Sequence, residues 1–499
     1  MTSLVSSVDS HRRALAHRLV AGLVATWAIH DSTAWAYDDP DITLSFEGSA
    51  TATAAARPPE APSQNLDLAA LFHLATQESF QVAVSQAQVQ EARALQSIAV
   101  SLAYPRGQVQ VLFGGPTTEA QTTVQNDINT LTPSSFEGDL DFGELGVTLR
   151  GNATAAIPIY TFGQLEKGKL AASKLVKASH HQVNATRGQV LVDLSRSYWG
   201  WQLLRELVAS LDEGERRLAG VLEQIEELLD ADSGQVTEND RLRLKFALST
   251  LSVRRAQADG GLAQLEQAIK LLIGRKQSVP LVLAEESLEK AAPSELLSID
   301  ELVARARADR ADIRALAEVV AAQKAFRELR IAQIFPTVFF GGFINFAVTT
   351  NATDQTNPFI KDTFNFFDGG VGLGVQLDLD FFTKLAQVEQ AEAQLAVRTR
   401  QQVLAQEAAE LEVRSLHAQI RAEIEQAKRL ERAYLSARGW LTASTLAYDI
   451  GAGQADELID AFLAWATSIA ELQSTRYDNL VHFAELARAT GRLAAVTSE

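Results

Sequence analysis

Residues 163–229 read GQLEKGKLAASKLVKASHHQVNATRGQVLVDLSRSYWGWQLLRELVASLDEGERRLAGVLEQIEELL. Every seventh residue belongs to a column that is apolar except at Ser197: Val176, Val183, Val190, Ser197, Leu204, Leu211, Leu218 and Ile225. A second column runs from Leu194 to Leu229, and no proline interrupts either one. A strict seven-residue repeat predicts a long helix in a left-handed supercoil, with its apolar seam against a partner helix. At 1.5 Å per residue the helix is about 100 Å long, which predicts an elongated protein. By itself, the repeat fits a coiled-coil rod of any purpose equally well.

Composition excludes several classes of function. The chain has 499 residues, a net charge of −17 and no cysteine. Without cysteine there are no disulfides, thiolate metal sites, cysteine nucleophiles or lipid-modified N-terminal cysteine. The negative charge argues against a nucleic-acid partner and against docking on an anionic membrane surface.

Residues 1–36 have the features of a secretory signal peptide. A basic region precedes an apolar core at Leu19–Ile29, and a small-x-small cleavage site ends at Ala36. An amphipathic first helix is the alternative. Residues 37–64 are rich in Ala, Thr, Pro and acidic residues, and we expect a disordered lead-in there. No later stretch has the roughly 18 uncharged apolar residues of a transmembrane helix, so a helical inner-membrane protein is not expected.

Two segments of the chain follow the same plan. Leu68–Tyr104 is a helical pattern that ends at Pro105, and Ile299–Phe335 is a pattern of equal length that ends at Pro336. An internal duplication explains both. The predicted parts are a first repeat, a linker, a second repeat and a C-terminal tail: 65–280, 281–297, 298–491 and 492–499.

After each proline the hydrophobic period changes from that of a helix to two residues. The alternating runs cover residues 109–113, 145–157, 338–346 and 371–381. Their lengths suit tilted membrane-spanning strands with an apolar side toward lipid and a polar side toward a lumen. Two soluble hairpins are the alternative, and Asp378 and Asp380 within the last run weigh against it. Because about eight strands are needed to close a barrel and open edges are not tolerated in lipid, several chains must share one barrel.

Long helical patterns follow each pair of strands. A glycine-containing break interrupts each pattern, at Gly234 and at Gly451, and each pattern ends at a glycine, Gly274 or Gly491. Such breaks predict one antiparallel helical hairpin per repeat, with a tip of small residues.

The order of these elements resembles the TolC family of outer-membrane channel proteins over Leu66–Gly491. The local matches are Ile157-Pro158-Ile159-Tyr160 leading into Gly163-Gln164-Leu165, Leu379-Asp380-Phe381-Phe382 leading into Lys384-Leu385, and Tyr448-Asp449-Ile450-Gly451 followed by Asp456-Glu457-Leu458-Ile459-Asp460-Ala461. The resemblance implies a mainly α fold with a membrane β part. Three chains of four transmembrane strands each would share a 12-stranded barrel, and their coiled-coil helices would form a periplasmic tunnel.

The family resemblance also implies function and partners. The protein would be an exit duct in the outer membrane of a Gram-negative bacterium, serving tripartite efflux or type I secretion. It would passively conduct substrates from an inner-membrane pump of RND or ABC type and a periplasmic adaptor (membrane fusion) protein. The implied partners are two further copies of the chain, the adaptor, the pump and outer-membrane lipid, with no nucleic acid. A soluble periplasmic coiled-coil scaffold without channel activity is the alternative.

Site residues also follow from the resemblance. The tips would contact the adaptor through Gly234, Gln235, Val236, Gly451, Ala452, Gly453 and Gln454. Glu457 and Asp460 match acidic positions that ring the periplasmic aperture, and Tyr448 and Asp240 match a pair that locks the helices. Gly453 stands where some members carry the arginine of a second lock, so that lock is absent or built differently. Acidic residues at a helix start are also favoured by the helix dipole, which is the alternative for Glu457 and Asp460.

No catalytic constellation stands out. His180-His181 lies on the long helix without metal-ligand spacing, and Gly370–Gly374 lacks the strand-turn-helix context of a nucleotide loop. We therefore expect neither an enzyme nor a cofactor or metal site.

Overall fold

The structure, a computed structural model, describes residues 65–117, 146–231, 236–291, 296–350, 359, 362, 364–450 and 452–492. The predicted signal peptide and lead-in lie outside these residues. So do three predicted tip residues, Gly234, Gln235 and Gly451.

Helices and strands follow one another in the same order twice. The helices are α1 (Leu68–Glu78), α2 (Phe80–Ser101), α3 (Gln164–Asp230), α4 (Glu238–Leu272), α5 (Leu288–Ala291), α6 (Ile299–Asp309), α7 (Ala311–Ala332), α8 (Phe381–Asp449) and α9 (Ala455–Ala489). The strands are β1 (Arg106–Thr117), β2 (Gly146–Tyr160), β3 (Thr337–Thr349) and β4 (Phe366–Gln376). The predicted fold class, mainly helical with a small β part, is confirmed. No helix in the described part of the chain is both long and apolar enough to cross a membrane.

Corresponding helices of the two halves have matching lengths. Helices α1 and α6 have 11 residues each, α2 and α7 have 22, and α4 and α9 have 35. Helices α3 and α8 have 67 and 69 residues. Helices of nearly equal length in the same order are what a duplicated unit produces, so the match supports the predicted duplication.

The described residues form two compact units. One unit contains the sheet and the helix segments within 94–172 and 321–397. The other contains the described parts of 1–93, 173–320 and 398–499.

The seven-residue column of α3 is a buried seam. Val176, Val190, Leu218 and Ile225 are at most 2% exposed. Burying such side chains stabilises the helix by about 1.5–3 kcal/mol each. The column therefore makes the packed contact that its period predicts.

Glycines end α4 and α9 in the same way. Gly274 (φ +70°) and Gly491 (φ +76°) adopt the left-handed conformation that lets a helix end in a tight turn. After them, the N–H of Arg275 donates to Lys270 O, and that of Arg492 donates to Ala487 O. A Cβ on Gly274 would lie 1.9 Å from the carbonyl oxygen of Glu78, so only glycine fits there.

The four strands form one antiparallel sheet in the order β1-β2-β3-β4. Alternation gives it an apolar face: Val109, Val111, Phe113, Leu149, Ala153, Ile157, Phe340, Ile344, Phe346, Val371, Leu373 and Val375. On this face the ring of Phe346 covers Gly151, where a Cβ would lie 2.0 Å from the ring. The opposite face, called the polar face below, carries Gln108, Gln110, Asn152, Thr154, Asn345 and Asp368.

The last strand differs from its prediction at both ends. It begins at Phe366 and stops at Gln376, so residues 377–380 are not in the sheet and Phe381 begins α8. Lys384 Nζ lies 3.5 Å from carboxylate oxygens of both Asp378 and Asp380. The apolar/polar alternation of the sequence continues past Gln376 because Asp378 and Asp380 stand just before α8, where acidic residues are favourable.

Candidate functional site

The first turn of α4 uses Asp240 as a cap. Thr237 N–H and its hydroxyl donate to Asp240 Oδ2 at 2.8 and 2.7 Å, and Asp240 N–H donates to Thr237 Oγ1 at 3.3 Å. This is a capping box, which a Thr three residues before an acidic residue favours. The carboxylate of Asp240 is therefore engaged within its own helix end.

Tyr448 lies near the end of α8, half-buried against an apolar cluster that includes Leu441, Leu458 and Phe462. Its buried hydroxyl has no hydrogen-bond partner among the described residues. Burial, followed by the charges of Asp240 and Asp449, raises the pKa of Tyr448. The structure thus brings Tyr448 and Asp240 close enough to interact electrostatically without a hydrogen bond between them, and the predicted lock stays a prediction.

Glu457 and Asp460 lie one turn apart near the start of α9, and both are exposed. Leu458, Ile459 and Phe462 on the same turns are buried. The two carboxylates therefore lie on the exposed face of the helix. This position fits both a lining of the aperture and a solvated surface. The helix dipole favours Glu457, which is in the first turn, whereas Asp460 lies in the second turn, where the effect has fallen off.

The described tip residues have different surroundings. Val236 packs against the apolar cluster around Leu458, while Ala452 and Gln454 are exposed. The N–H groups of Ala452 and Gly453 both donate to Ala447 O at 2.8 Å.

Gly453 has no room for a side chain. A Cβ on Gly453 would lie 2.9 Å from the backbone nitrogen of Tyr448 and 3.1 Å from Ala447 Cβ. An arginine at this position would require the turn after α8 to shift. The tight turn is a physical reason why this chain lacks that arginine.

Sequence analysis missed an ion pair between the two hairpins at this end. Arg243 on α4 pairs with Asp456 on α9, with side chains 52% and 46% exposed. Two neighbouring basic residues on α4 are also paired: Lys245 contacts Glu226 on α3 at 2.8 Å, and Arg241 contacts Glu238. The sequence does show basic residues at 241, 243 and 245 and acidic residues at the start of α9. It does not show which basic residue pairs with which acidic one.

A row of hydrogen-bonded side chains crosses the polar face of the sheet. Asn152 Nδ2 donates to Asn345 Oδ1 at 2.5 Å, and Asn345 Nδ2 donates to Asp368 Oδ1 at 2.9 Å. Gln110 is the register partner of Asn152 on β1. The row shows that polar groups are concentrated on the face opposite the exposed apolar side chains.

Among the residues that the structure describes, no group of three or more His, Cys, Asp or Glu side chains is arranged to hold a metal ion. Arg93 Nη2 contacts His180 Nε2 at 3.5 Å, so this histidine has a protein partner.

Four antiparallel strands and two pairs of very long helices, in this order along the chain, give the protein the fold of solved outer-membrane channels. Among solved structures, the chain is similar to CusC, described in connection with transmembrane channel formation, with 17% identity, a TM-score of 0.68 and coverage of 86% of this chain and 93% of that one. It is also similar to the CmeC outer-membrane channel of Campylobacter jejuni, with 15% identity, a TM-score of 0.68 and coverage of 92% and 94%.

A third similar structure is the outer-membrane protein VceC of Vibrio cholerae, with 16% identity, a TM-score of 0.66 and coverage of 85% of this chain and 96% of that one. No protein-family model matches the sequence, and no curated protein matches it. The chain therefore has the fold of TolC-like outer-membrane channels over nearly its whole described length.

Proposed function

We propose that this protein is an outer-membrane exit duct of a tripartite efflux or type I secretion system. The observation that carries the proposal is the sheet, which has an exposed apolar face and two unpaired edges. In the sheet formed by the described residues, strands β1 and β4 each have a neighbour on one side only. In lipid, unpaired backbone groups at such edges cost several kcal/mol each, so the edges must meet other strands.

The apolar face of the sheet is so exposed that contact with water would be unfavourable. Phe113, Phe367 and Val371 are 76%, 76% and 80% exposed. Large contiguous apolar patches mark sites of contact with membranes or partners. A bilayer covers this face, while the hydrogen-bonded row on the polar face stays in water inside a barrel.

Three chains complete the barrel. Each contributes four antiparallel strands, so β4 of one chain runs antiparallel to β1 of the next and the closed barrel has 3 × 4 = 12 strands. Twelve exceeds the minimum of about eight strands for closure. The barrel lies in the outer membrane of a Gram-negative bacterium.

Exposed apolar residues on the helices support the same assembly. On α4, Leu242, Phe246 and Val253 are 52%, 74% and 56% exposed, and their spacing puts them on one helix face. On α8, Leu404 and Leu411 are 70% and 69% exposed and lie one heptad apart. Helices of the neighbouring chains cover these residues and together form a tunnel through the periplasm.

The partners of this duct are a periplasmic adaptor and an inner-membrane pump of RND or ABC type. The adaptor meets the two hairpin tips, including the exposed Ala452 and Gln454. The duct is passive and not an enzyme, because transport energy comes from the pump. Glu457 and Asp460 line its periplasmic aperture.

Cysteine crosslinking tests the shared barrel. The chain has no cysteine, so a pair introduced on β1 and β4 is unique. One cysteine replaces Gln110 and the second is moved along residues 367–375 of β4. We expect some positions to give covalent dimers and trimers in isolated outer membranes.

A matched control places both cysteines on neighbouring inner strands, at Asn152 and Asn345, which face each other. This pair should close within one chain. A detergent-independent monomer with no intermolecular bond at any β4 position would contradict the channel and favour the soluble periplasmic scaffold.

A further inference from the structure

A concavity of about 460 Å³ lies on the sheet. Most of its lining comes from the polar face, near the ends of the strands that adjoin α7 and α8. Its size matches the 300–1,000 Å³ that small-molecule sites usually have. In the barrel of the proposed function, this face is the inner wall.

Two aromatic rings stand on either side of the concavity. Phe339 and Phe343 lie four residues apart on β3, so both point to the polar face, and both line the concavity. Each ring leans toward β4. A Cβ on Gly374 would meet the Phe339 ring at 2.4 Å, and one on Gly370 would meet the Phe343 ring at 3.4 Å. The two glycines therefore make room for the walls.

The strip between the walls is open. Gly372 is opposite Gly341 in the register and lies between Gly370 and Gly374, yet nothing lies within 4 Å of where its Cβ would be. No ring among the described residues explains this glycine, although a glycine inside a strand is destabilising. Glycine in a strand often marks a place where a ligand approaches the backbone closely.

Charge distinguishes the candidate occupants. Arg106 is in the same register row as Gly341 and Gly372, and it is the one ionisable residue among the described residues that line the concavity. Asp368 lies outside the lining, in the row beyond Phe343, where Asn345 donates to its carboxylate. The site therefore offers aromatic walls, bare backbone and one guanidinium.

We propose that this concavity binds flat aromatic anions, with the ring between Phe339 and Phe343 over Gly372 and the anionic group toward Arg106. The inference rests on the proposed function, since the trimer makes this face a lumen wall with three copies of the site. Rings several ångström apart interact favourably in edge-to-face or offset geometry. A guanidinium recognises carboxylate or sulfonate oxygens through paired N–H donors. The site would give passing aromatic acids a weak contact inside the duct.

Equilibrium dialysis of the full trimer in lipid nanodiscs tests the proposal, with empty nanodiscs subtracted. The probe is 2-naphthalenesulfonate, compared with cyclohexanesulfonate and with the flat cation N-methylquinolinium. We expect saturable binding of the naphthalene probe, and binding of each comparison compound at least about tenfold weaker, a difference of about 1.4 kcal/mol.

Two glycines provide a matched pair of variants. Gly372→Val fills the strip and should weaken binding at least about tenfold. Gly114→Val, on the same face of β1 and also with nothing within 4 Å of its Cβ position, lies outside the lining and should bind like the unmodified protein. Arg106→Gln should weaken binding of the anion and strengthen that of the cation, because it removes the positive charge that attracts the one and repels the other. If Gly372→Val does not assemble, Phe343→Leu removes one wall and should weaken binding several-fold.

Non-saturable uptake, equal binding of the cation, or unchanged binding by Gly372→Val or Phe343→Leu would overturn the proposal. An assembled trimer that binds no probe would reject this site and leave the exit-duct function standing. Failure to assemble a trimer from the unmodified chain would instead reject the proposed function, and this site with it.

Discussion

Arg243 on α4 and Asp456 on α9 form an ion pair that joins the first helical hairpin to the second at their tip ends. Asp456 lies three residues after Gly453, the position at which some members of the resembling family carry the arginine of a second lock and at which this chain has no space for one. An ion pair exposed to this degree contributes about 0–1 kcal/mol. Three copies in a trimer would add up to a latch that an adaptor or pump can open.

Breaking this pair should open the aperture more often. We expect Arg243→Gln and Asp456→Asn each to raise the resting single-channel conductance in planar bilayers, because the hairpins lose a link. The charge exchange Arg243→Asp with Asp456→Arg should restore low conductance. Arg254→Gln is the matched control, since Arg254 on the same helix bonds only Gln257 among the hydrogen bonds described for it. If all four variants had the resting conductance of the unmodified channel, the ion pair would not hold the tips together.

Removal of the Tyr448 hydroxyl should have little effect on the aperture. The part of the chain that the structure describes gives this buried hydroxyl no partner, and an unsatisfied buried polar group costs about 1–3 kcal/mol. We therefore expect Tyr448→Phe to unfold at the same or a higher temperature and to keep the resting conductance unchanged. A raised conductance would instead show that the lock with Asp240, predicted by resemblance, forms in the assembled channel.

The carboxylates at the start of α9 should set ion preference. Glu457 and Asp460 share an exposed face, and three copies of each would converge at the aperture and attract counter-ions. Glu457→Gln with Asp460→Asn should reduce the preference for potassium over chloride, measured as a reversal potential across a salt gradient. Glu407→Gln, an exposed acid in α8 away from the tips, is the control. An unchanged reversal potential in the double variant would place both residues on the solvated surface.

Local and periodic features of the fold were readable from the sequence. The column from Val176 to Ile225 predicts the buried seam of α3, and Gly274 and Gly491 predict the ends of α4 and α9. These features follow from chain geometry: a helix repeats every 3.6 residues, and glycine favours left-handed turns.

Pairings between distant residues were not readable. Nothing in the local pattern says that Arg243 meets Asp456, or that Phe339 and Phe343 lean over Gly374 and Gly370, because these contacts depend on the register of separate elements. The predicted end of β4, at residue 381, was wrong for a related reason. Alternation alone does not distinguish the last residues of a strand from a polar helix start.

Gly260 within α4 and Gly274 just after its end test the difference between a tolerated and a required glycine. Gly274→Ala should lower the melting temperature of the detergent-solubilised protein, because Ala in a left-handed conformation costs about 1–2 kcal/mol. Its Cβ would also meet the carbonyl oxygen of Glu78 at 1.9 Å. Gly260→Ala should raise the melting temperature, because nothing lies within 4 Å of its Cβ position and Ala is favoured over Gly by about 1 kcal/mol inside a helix. Opposite shifts would confirm that the end of α4 is fixed by its contact with α1. A Gly274→Ala protein as stable as the unmodified one would mean that this helix end can move away from Glu78.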